Sequence, residues 1–155
     1  MKEFWQRFAR NRGAVIGLAI LVVIVLLAAT APIFFPGDPF QAAGKPFESP
    51  FTHFLFGTDM LGRDVAAGIA HGARTSLMIG LVATFIAVVV ATIIGGVAGY
   101  RGGWIDDALM RITEFFQTIP SFVFAIVLVA IMSPSIKSIV IAIAAVSWPP
   151  ITRLV

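Results

Sequence analysis

The chain has 155 residues, of which 59% are hydrophobic and 12% charged, with no cysteine, a formal net charge of +3 and a mean hydropathy of +0.97. A water-soluble domain usually carries about a quarter charged residues, so this composition indicates a membrane protein. It excludes a disordered tail, a nucleic-acid-binding module and a disulfide-stapled secreted domain, because each needs more charge, or cysteines, than the chain has.

Four tracts without a charged residue divide the chain. Each of the first three is long enough to cross a hydrocarbon core as a helix, which takes roughly 20 apolar residues. The fourth is short and ends near Pro149 and Pro150, so it is either a span cut close to its end or a re-entrant segment. The predicted spans cover about residues 14–35, 75–100, 115–134 and 138–152.

The first twelve residues carry the densest basic cluster of the chain, formed by Lys2, Arg7, Arg10 and Arg12. Basic residues collect on the cytoplasmic side of a span, so we predict a cytoplasmic N-terminus. Phe4, Trp5 and Phe8 stand at helical neighbour spacing among them. This spacing is consistent with a short interfacial helix that faces anionic lipid. An unstructured basic tail is an equally good interpretation.

The apolar stretch over residues 14–31 could also be the core of a signal peptide. Signal-peptide cores have roughly 7 to 15 residues, and this stretch is longer. A retained first span is therefore favoured over a cleaved signal.

Residues 32–58 connect the first two predicted spans and contain five prolines. Proline breaks helices, so we predict an irregular external segment at which a partner could dock. Thr58 is predicted to cap an amphipathic helix over residues 59–73, with Asp59 in its first turn near the positive end of the helix dipole. The residues of this helix expected to face water are Arg63, Asp64 and Arg74.

The second predicted span carries a strip of small residues at every fourth position, comprising Ala83, Ala87, Ala91, Gly95 and Gly99. Small residues let helix backbones approach closely, and such close contact holds helices together in lipid. The strip favours a tightly packed helix in a transporter or channel bundle over a simple dimerisation face.

The segment after the second span, residues 105–116, is amphipathic. Asp107 and Arg111 stand four apart in the order that favours a helical ion pair. Pro120 falls early in the third tract and frees the carbonyl near Phe116, so a kink is predicted there. Such a kink is either a hinge in a gated bundle or a tolerated bend.

The sequence contains no pattern typical of catalysis or of a metal site. The uncharged tracts lack ionisable residues, which argues against a proton relay, and His53 and His71 lack metal-ligand spacing. Ser76 and Ser121 have no histidine at motif spacing. We predict no catalytic, cofactor-binding or metal-binding residue, and we predict that the chain is not an enzyme.

Three motifs, in order along the chain, carry a resemblance to a known family. They are FGTDMLGRD at residues 56–64, ARTSLMIGL at 73–81 and GYRGG at 99–103. Together with Pro120 and the end of the fourth tract, they closely resemble the C-type permease subunits of dipeptide and oligopeptide ABC importers. By this resemblance, residues 1–58 form an N-terminal permease segment and residues 59–155 the start of the permease transmembrane domain.

The resemblance implies an all-α polytopic helix bundle, the type I ABC importer permease fold, in the bacterial inner membrane. It implies peptide transport together with a second permease, two cytoplasmic ATPase subunits and an external peptide-binding protein. ATP and magnesium would be bound by the ATPase partners, and no cofactor or nucleic acid by this chain. The cargo stays open between dipeptides, longer peptides and nickel complexes.

Two features depart from the family pattern. Residues 133–137 stand where the family usually has a glycine-containing turn, and the coupling loop and last two spans, expected just past Arg153, are missing. The predicted fold is therefore incomplete. The alternative function is a membrane assembly subunit that transports nothing, or an inactive fragment. A small channel is disfavoured because the small-residue strip supplies little polarity.

Overall fold

The computed structural model describes residues 2–155, and the side chains of residues 2–4 and 6 lie outside what it describes. Within these residues the backbone forms six helices and, apart from one isolated β-bridge, no strand pairing, which confirms the all-α class. The helices are α1 (Lys2–Arg10), α2 (Arg12–Phe34), α3 (Val65–Arg101), α4 (Gly103–Thr118), α5 (Ser121–Ile131) and α6 (Ile136–Thr152).

The chain divides into two compact units, Met1–Leu77 and Met78–Val155. In the first unit, α1 contacts α2 and is separated from it by Asn11. The backbone of Asn11 is extended, and its side chain accepts a hydrogen bond from the Ala14 N–H at 3.2 Å. The predicted N-terminal helix is thus confirmed as a helix, while its position on a membrane stays a prediction. The predicted roles of the side chains of Lys2 and Phe4 lie outside the described residues.

The first predicted span, over 14–35, is confirmed as α2, whose 23 residues run from Arg12 to Phe34. The predicted irregular segment begins later than its first proline, because Pro32 lies inside the last turn of α2. The turn stays helical there because the Phe35 N–H still donates to the Ala31 carbonyl at 2.9 Å.

The predicted amphipathic helix over 59–73 is wrong as a separate element. Helix α3 begins at Val65 and runs without interruption for 37 residues to Arg101. Residues 59–64 instead form a hydrogen-bonded turn before it. The second predicted span, over 75–100, lies inside this single helix.

In the second unit, the small-residue strip of α3 is buried at Ala83, Ala87, Ala91 and Gly95. The next buried position is Ala98, while Gly99 is exposed. A strict repeat of four drifts away from the 3.6-residue turn of a helix, so burial passes to a position three residues on. The strip is confirmed except at Gly99.

The third predicted span, over 115–134, is not one helix. Helices α4 and α5 meet at a bend of 83°. Ile119 is extended, with ψ of 126°, because proline disfavours the helical conformation in the residue before it. Pro120 therefore breaks the helix, where the sequence predicted only a kink. Helix α6, the fourth predicted span, packs against α5 and α4.

Two helices of the described chain, α2 and α3, are long and apolar enough to cross a membrane, and the bent pair α4–α5 makes a third span if it is counted as one. Helix α6 is apolar but has 17 residues. These helices agree with the predicted polytopic membrane protein, and the third predicted span is broken.

The predicted ion pair between Asp107 and Arg111 is wrong. Within the described residues the one salt bridge joins Arg153 Nη2 to Glu114 Oε1 at 2.7 Å, from the end of α6 to α4. Both side chains are about half exposed, so we assign the pair a small contribution to stability.

Candidate functional site

The segment between α2 and α3, residues 35–64, is irregular in backbone and densely hydrogen-bonded; we call it the inter-span loop. Its centre is Thr58, which is 7% exposed. The Thr58 hydroxyl donates to the Lys45 carbonyl at 2.5 Å and accepts from the Glu48 N–H at 2.8 Å. The Thr58 N–H donates to the Glu48 carbonyl at 3.2 Å. One threonine side chain thus holds two distant parts of the loop together.

Asp59 organises the turn that follows. Its Oδ1 accepts the backbone N–H groups of Leu61 at 2.8 Å and Arg63 at 2.9 Å. The hydrogen bond from the Arg63 N–H lowers the pKa of the Asp59 carboxyl below its ordinary value, and the Leu61 N–H and the Arg63 charge act in the same direction against partial burial. Such bonds favour the charged carboxylate over its protonated form.

The N-cap of α3 is Asp64, and the predicted cap at Thr58 is wrong. Asp64 Oδ1 accepts the Ala66 N–H at 2.9 Å, and its carbonyl accepts the Gly68 N–H at 3.0 Å. Thr58 instead faces Asp64 across the isolated β-bridge. Threonine is also a preferred N-cap residue. The Thr58 hydroxyl, however, bonds to Lys45 and Glu48 and not to the first turn of a helix.

The inter-span loop exposes seven large apolar side chains. Two of them, Phe47 and Phe51, have positive φ angles of 57° and 62° and are 76% and 78% exposed. Positive φ is uncommon for a bulky residue and costs backbone free energy, which the surrounding hydrogen bonds offset. The other large exposed apolar residues are Phe40, Leu55, Phe56, Met60 and Leu61.

Arg63 lies 5.7 Å from the centre of the Phe40 ring, in cation–π range. The sequence does not predict this contact, because the two residues are far apart in the chain. Exposed aromatic side chains on a hydrogen-bonded loop are typical of a surface that binds a partner.

His71 and Ser76 line a cavity of about 420 Å³ beside Phe40. The ring nitrogen Nε2 of His71 lies 2.9 Å from the Phe35 carbonyl, so this histidine connects the end of α2 to α3. His53 is not among the cavity's lining residues. Among the described residues, no group of three His, Cys, Asp or Glu side chains could hold a metal ion.

A second cluster surrounds the break between α4 and α5. The Phe116 ring lies 5.4 Å from that of Trp148 and 6.0 Å from that of Phe124, measured between centroids. A cavity of about 190 Å³ is lined by Phe116, Phe124 and Pro120 among others. The cluster joins α4, α5 and α6 at the proline break, which fits a hinge or a fixed bend.

We expect the stability of the inter-span loop to depend on pH through the charge of Asp59. Because its pKa is lowered in the folded loop, the carboxylate stabilises the loop above the ordinary aspartate pKa of about 4, and this stabilisation is lost as the pH falls through the lowered pKa. We expect the protection factors of the Leu61 and Arg63 amides in hydrogen exchange to fall in this acidic range.

In the Asp59→Asn variant, the same protection factors should be lower at neutral pH. Because asparagine does not titrate, the fall between about pH 6 and pH 3 should disappear. An unchanged acid dependence in this variant would show that another group controls the loop.

Residues 1–50 match the N-terminal TM domain of oligopeptide transport permease C, and residues 91–155 match the binding-protein-dependent transport system inner membrane component. Over 99% of its length, the chain is 38% identical to the di/tripeptide transport system permease protein DppC of Pseudomonas aeruginosa, covering 53% of that protein.

Over 99% of its length it is 35% identical to the dipeptide transport system permease protein DppC of Haemophilus influenzae, covering 55% of that protein. It is 38% identical to the oligopeptide transport system permease protein OppC of the same organism, covering 52% of it. The chain therefore spans about half the length of the curated relatives that it matches.

Proposed function

We propose that this chain belongs to the family of C-type permease subunits of dipeptide and oligopeptide ABC importers and that it takes part in peptide import across the bacterial inner membrane. The observation that carries the proposal is the similarity to peptide permeases over 99% of the chain. The family is one of multi-pass transport permeases of the inner membrane, and the apolar helices α2 and α3 agree with that setting.

We propose that the N-terminus is cytoplasmic, which puts the inter-span loop on the external side. The support is the distribution of basic residues: four of the eleven fall in the first twelve positions, next to α2. A basic excess beside the first span usually fixes orientation.

The proposed partners are a second permease, two cytoplasmic ATPase subunits and an external peptide-binding protein. The exposed aromatic side chains of the inter-span loop suit the binding protein, because a hydrogen-bonded loop presents them with little loss of conformational freedom on docking. ATP and magnesium would be bound by the ATPase subunits, and this chain would supply neither a catalytic group nor a cofactor site.

The chain itself would form part of the wall of the translocation path, and its small residues would allow close helix packing. The small-residue face of α3 allows another backbone to approach closely, as Gly95 and the Thr152 carbonyl do in the second unit. Peptides would pass between this permease and the second one. The described residues do not assign any individual side chain to the cargo.

Uptake in the bacterium that encodes the chain tests the proposal. Deletion of the gene should abolish accumulation of a radiolabelled dipeptide or tetrapeptide and leave uptake of the corresponding free amino acid unchanged, and the gene supplied in trans should restore it. Unchanged uptake of both peptides, or loss of nickel uptake alone, would contradict peptide import.

A further inference from the structure

The first twelve residues, which run through α1 to the first residue of α2, hold the whole net charge of the protein. Residues 1–12 contain four basic residues and one acid, while residues 13–155 contain seven of each. The net charge of +3 therefore lies at one end of the chain, beside the start of α2. A cluster of this kind next to a membrane span is typical of a site for anionic lipid.

The described side chains of α1 separate into two faces. At 100° per residue, Trp5, Phe8 and Ala9 fall on one side of the helix, and Arg7 and Arg10 fall on the opposite side. The Trp5 and Phe8 rings contact each other edge to face, with centroids 5.9 Å apart. The aromatic pair forms an apolar edge that a polar–apolar boundary would accommodate.

The arginines in and beside α1 are available to an external anion. Arg7, Arg10 and Arg12 are all exposed, and no described carboxylate forms a salt bridge with them. Arginine binds phosphate oxygens with two parallel N–H groups, so a lipid phosphate suits this face.

The junction with α2 lets α1 leave the axis of the span. Asn11 is extended, with φ of −89° and ψ of 96°, and its side chain begins α2 by accepting the Ala14 N–H. Helix α1 is therefore a separate element beside the first turn of α2. Lipid headgroups lie beside the end of a helix that spans a membrane, so α1 would be at their depth if α2 spans.

We propose that α1 binds anionic phospholipid, with Trp5 and Phe8 in the membrane interface and Arg7 and Arg10 on the headgroup phosphates. Anionic lipid would then fix the position of α1. The proposal rests on the first unit alone and holds for any function of the chain.

The test uses the full chain, labelled with fluorotryptophan, in nanodiscs of phosphatidylcholine with and without phosphatidylglycerol. The ¹⁹F resonance of Trp5, assigned with Trp5→Phe, reports access of a water-soluble paramagnetic ion. We expect Trp5 to be protected only when phosphatidylglycerol is present, and high salt to reverse the protection.

Replacing Arg7 and Arg10 by Gln should lower the affinity of α1 for phosphatidylglycerol membranes. The expected loss is about fivefold per arginine, roughly 25-fold together. Arg7→Lys/Arg10→Lys keeps the charge and should stay close to the wild type. The matched control, Arg101→Gln/Arg111→Gln, removes two exposed arginines elsewhere and should change nothing. Equal protection of Trp5 without phosphatidylglycerol, or a Gln variant that behaves as the wild type, would overturn the proposal.

Discussion

The Gly62→Ala variant should lose the structure of the inter-span loop. Gly62 has a φ of 73°, in the left-handed region, and a Cβ built on it would collide with the Gly44 carbonyl oxygen. The backbone cannot move away, because the Gly62 carbonyl accepts the N–H groups of Ala43 at 2.8 Å and Gly44 at 3.0 Å. Backbone strain and overpacking each cost about 1 to 3 kcal/mol, so we expect the variant to lose about 2 to 6 kcal/mol of stability.

The measurement is the rate of proteolysis of the loop in the full chain, together with the thermal unfolding midpoint. The control is Gly68→Ala, at a helical glycine of α3 where an added Cβ would meet no atom within 4 Å. This control should be neutral, or more stable by up to about 1 kcal/mol, because alanine favours helix. If Gly62→Ala resisted protease as the control does, the close packing of residues 44 and 62 would be disproved.

The Gly95→Leu variant should separate α3 from the end of α6. A Cβ at Gly95 would lie 2.8 Å from the Thr152 carbonyl oxygen and 3.0 Å from the Val155 Cβ. Leucine adds three further carbons to a position that cannot take the first one, so we expect a loss of about 2 to 3 kcal/mol. Denaturation by SDS in mixed bicelles measures it.

The neighbouring glycine provides the matched control. Gly96 is exposed, and an added Cβ there would meet no atom within 4 Å. Gly96→Leu adds the same side chain one residue along the same helix, so it should not weaken the packing. Equal destabilisation by both variants would mean that leucine acts through the helix itself and not through contact with residues 152–155.

The positions of the apolar helices were predictable because the signal is local. A tract without charges that is long enough to span lipid has few alternatives to a helix, and α2 ends within two residues of its predicted limits on both sides. Burial of Ala83, Ala87 and Ala91 was predictable for the same reason, since side-chain size and helical period are both visible in the sequence.

The inter-span loop was predictable only as irregular. Its structure depends on bonds between residues distant in sequence, such as the Thr58 hydroxyl to the Lys45 carbonyl, and periodicity carries no information about these. One local signal was present: Gly57 and Gly62 bracket Thr58 and Asp59 in the GTDMLGRD motif, and both glycines have a φ of 73°. Glycine on both sides of an aspartate is a turn signal, and it argued against a helix from residue 59.

The ion pair of α4 was not predictable from local spacing. Asp107 and Arg111 have the spacing for a pair and do not form one, whereas Glu114 of the same helix pairs with Arg153 from the end of α6. A pairing rule within one helix cannot rank a partner from another helix.

The break at Pro120 restricts the depth at which α4 and α5 can lie in a bilayer. Helix α5 has 11 residues and is about 16 Å long, half of a hydrocarbon core of about 30 Å. Its first intrahelical bond runs from the Phe124 N–H to the Pro120 carbonyl, so the N–H groups of residues 121–123 lack helical partners. Hydrocarbon cannot hydrate such groups, and each one left dry costs several kcal/mol. Water, or polar protein groups, must therefore reach the Pro120 bend, and the exposed side chains of Gln117, Thr118 and Ser121 mark the wetted stretch of the chain.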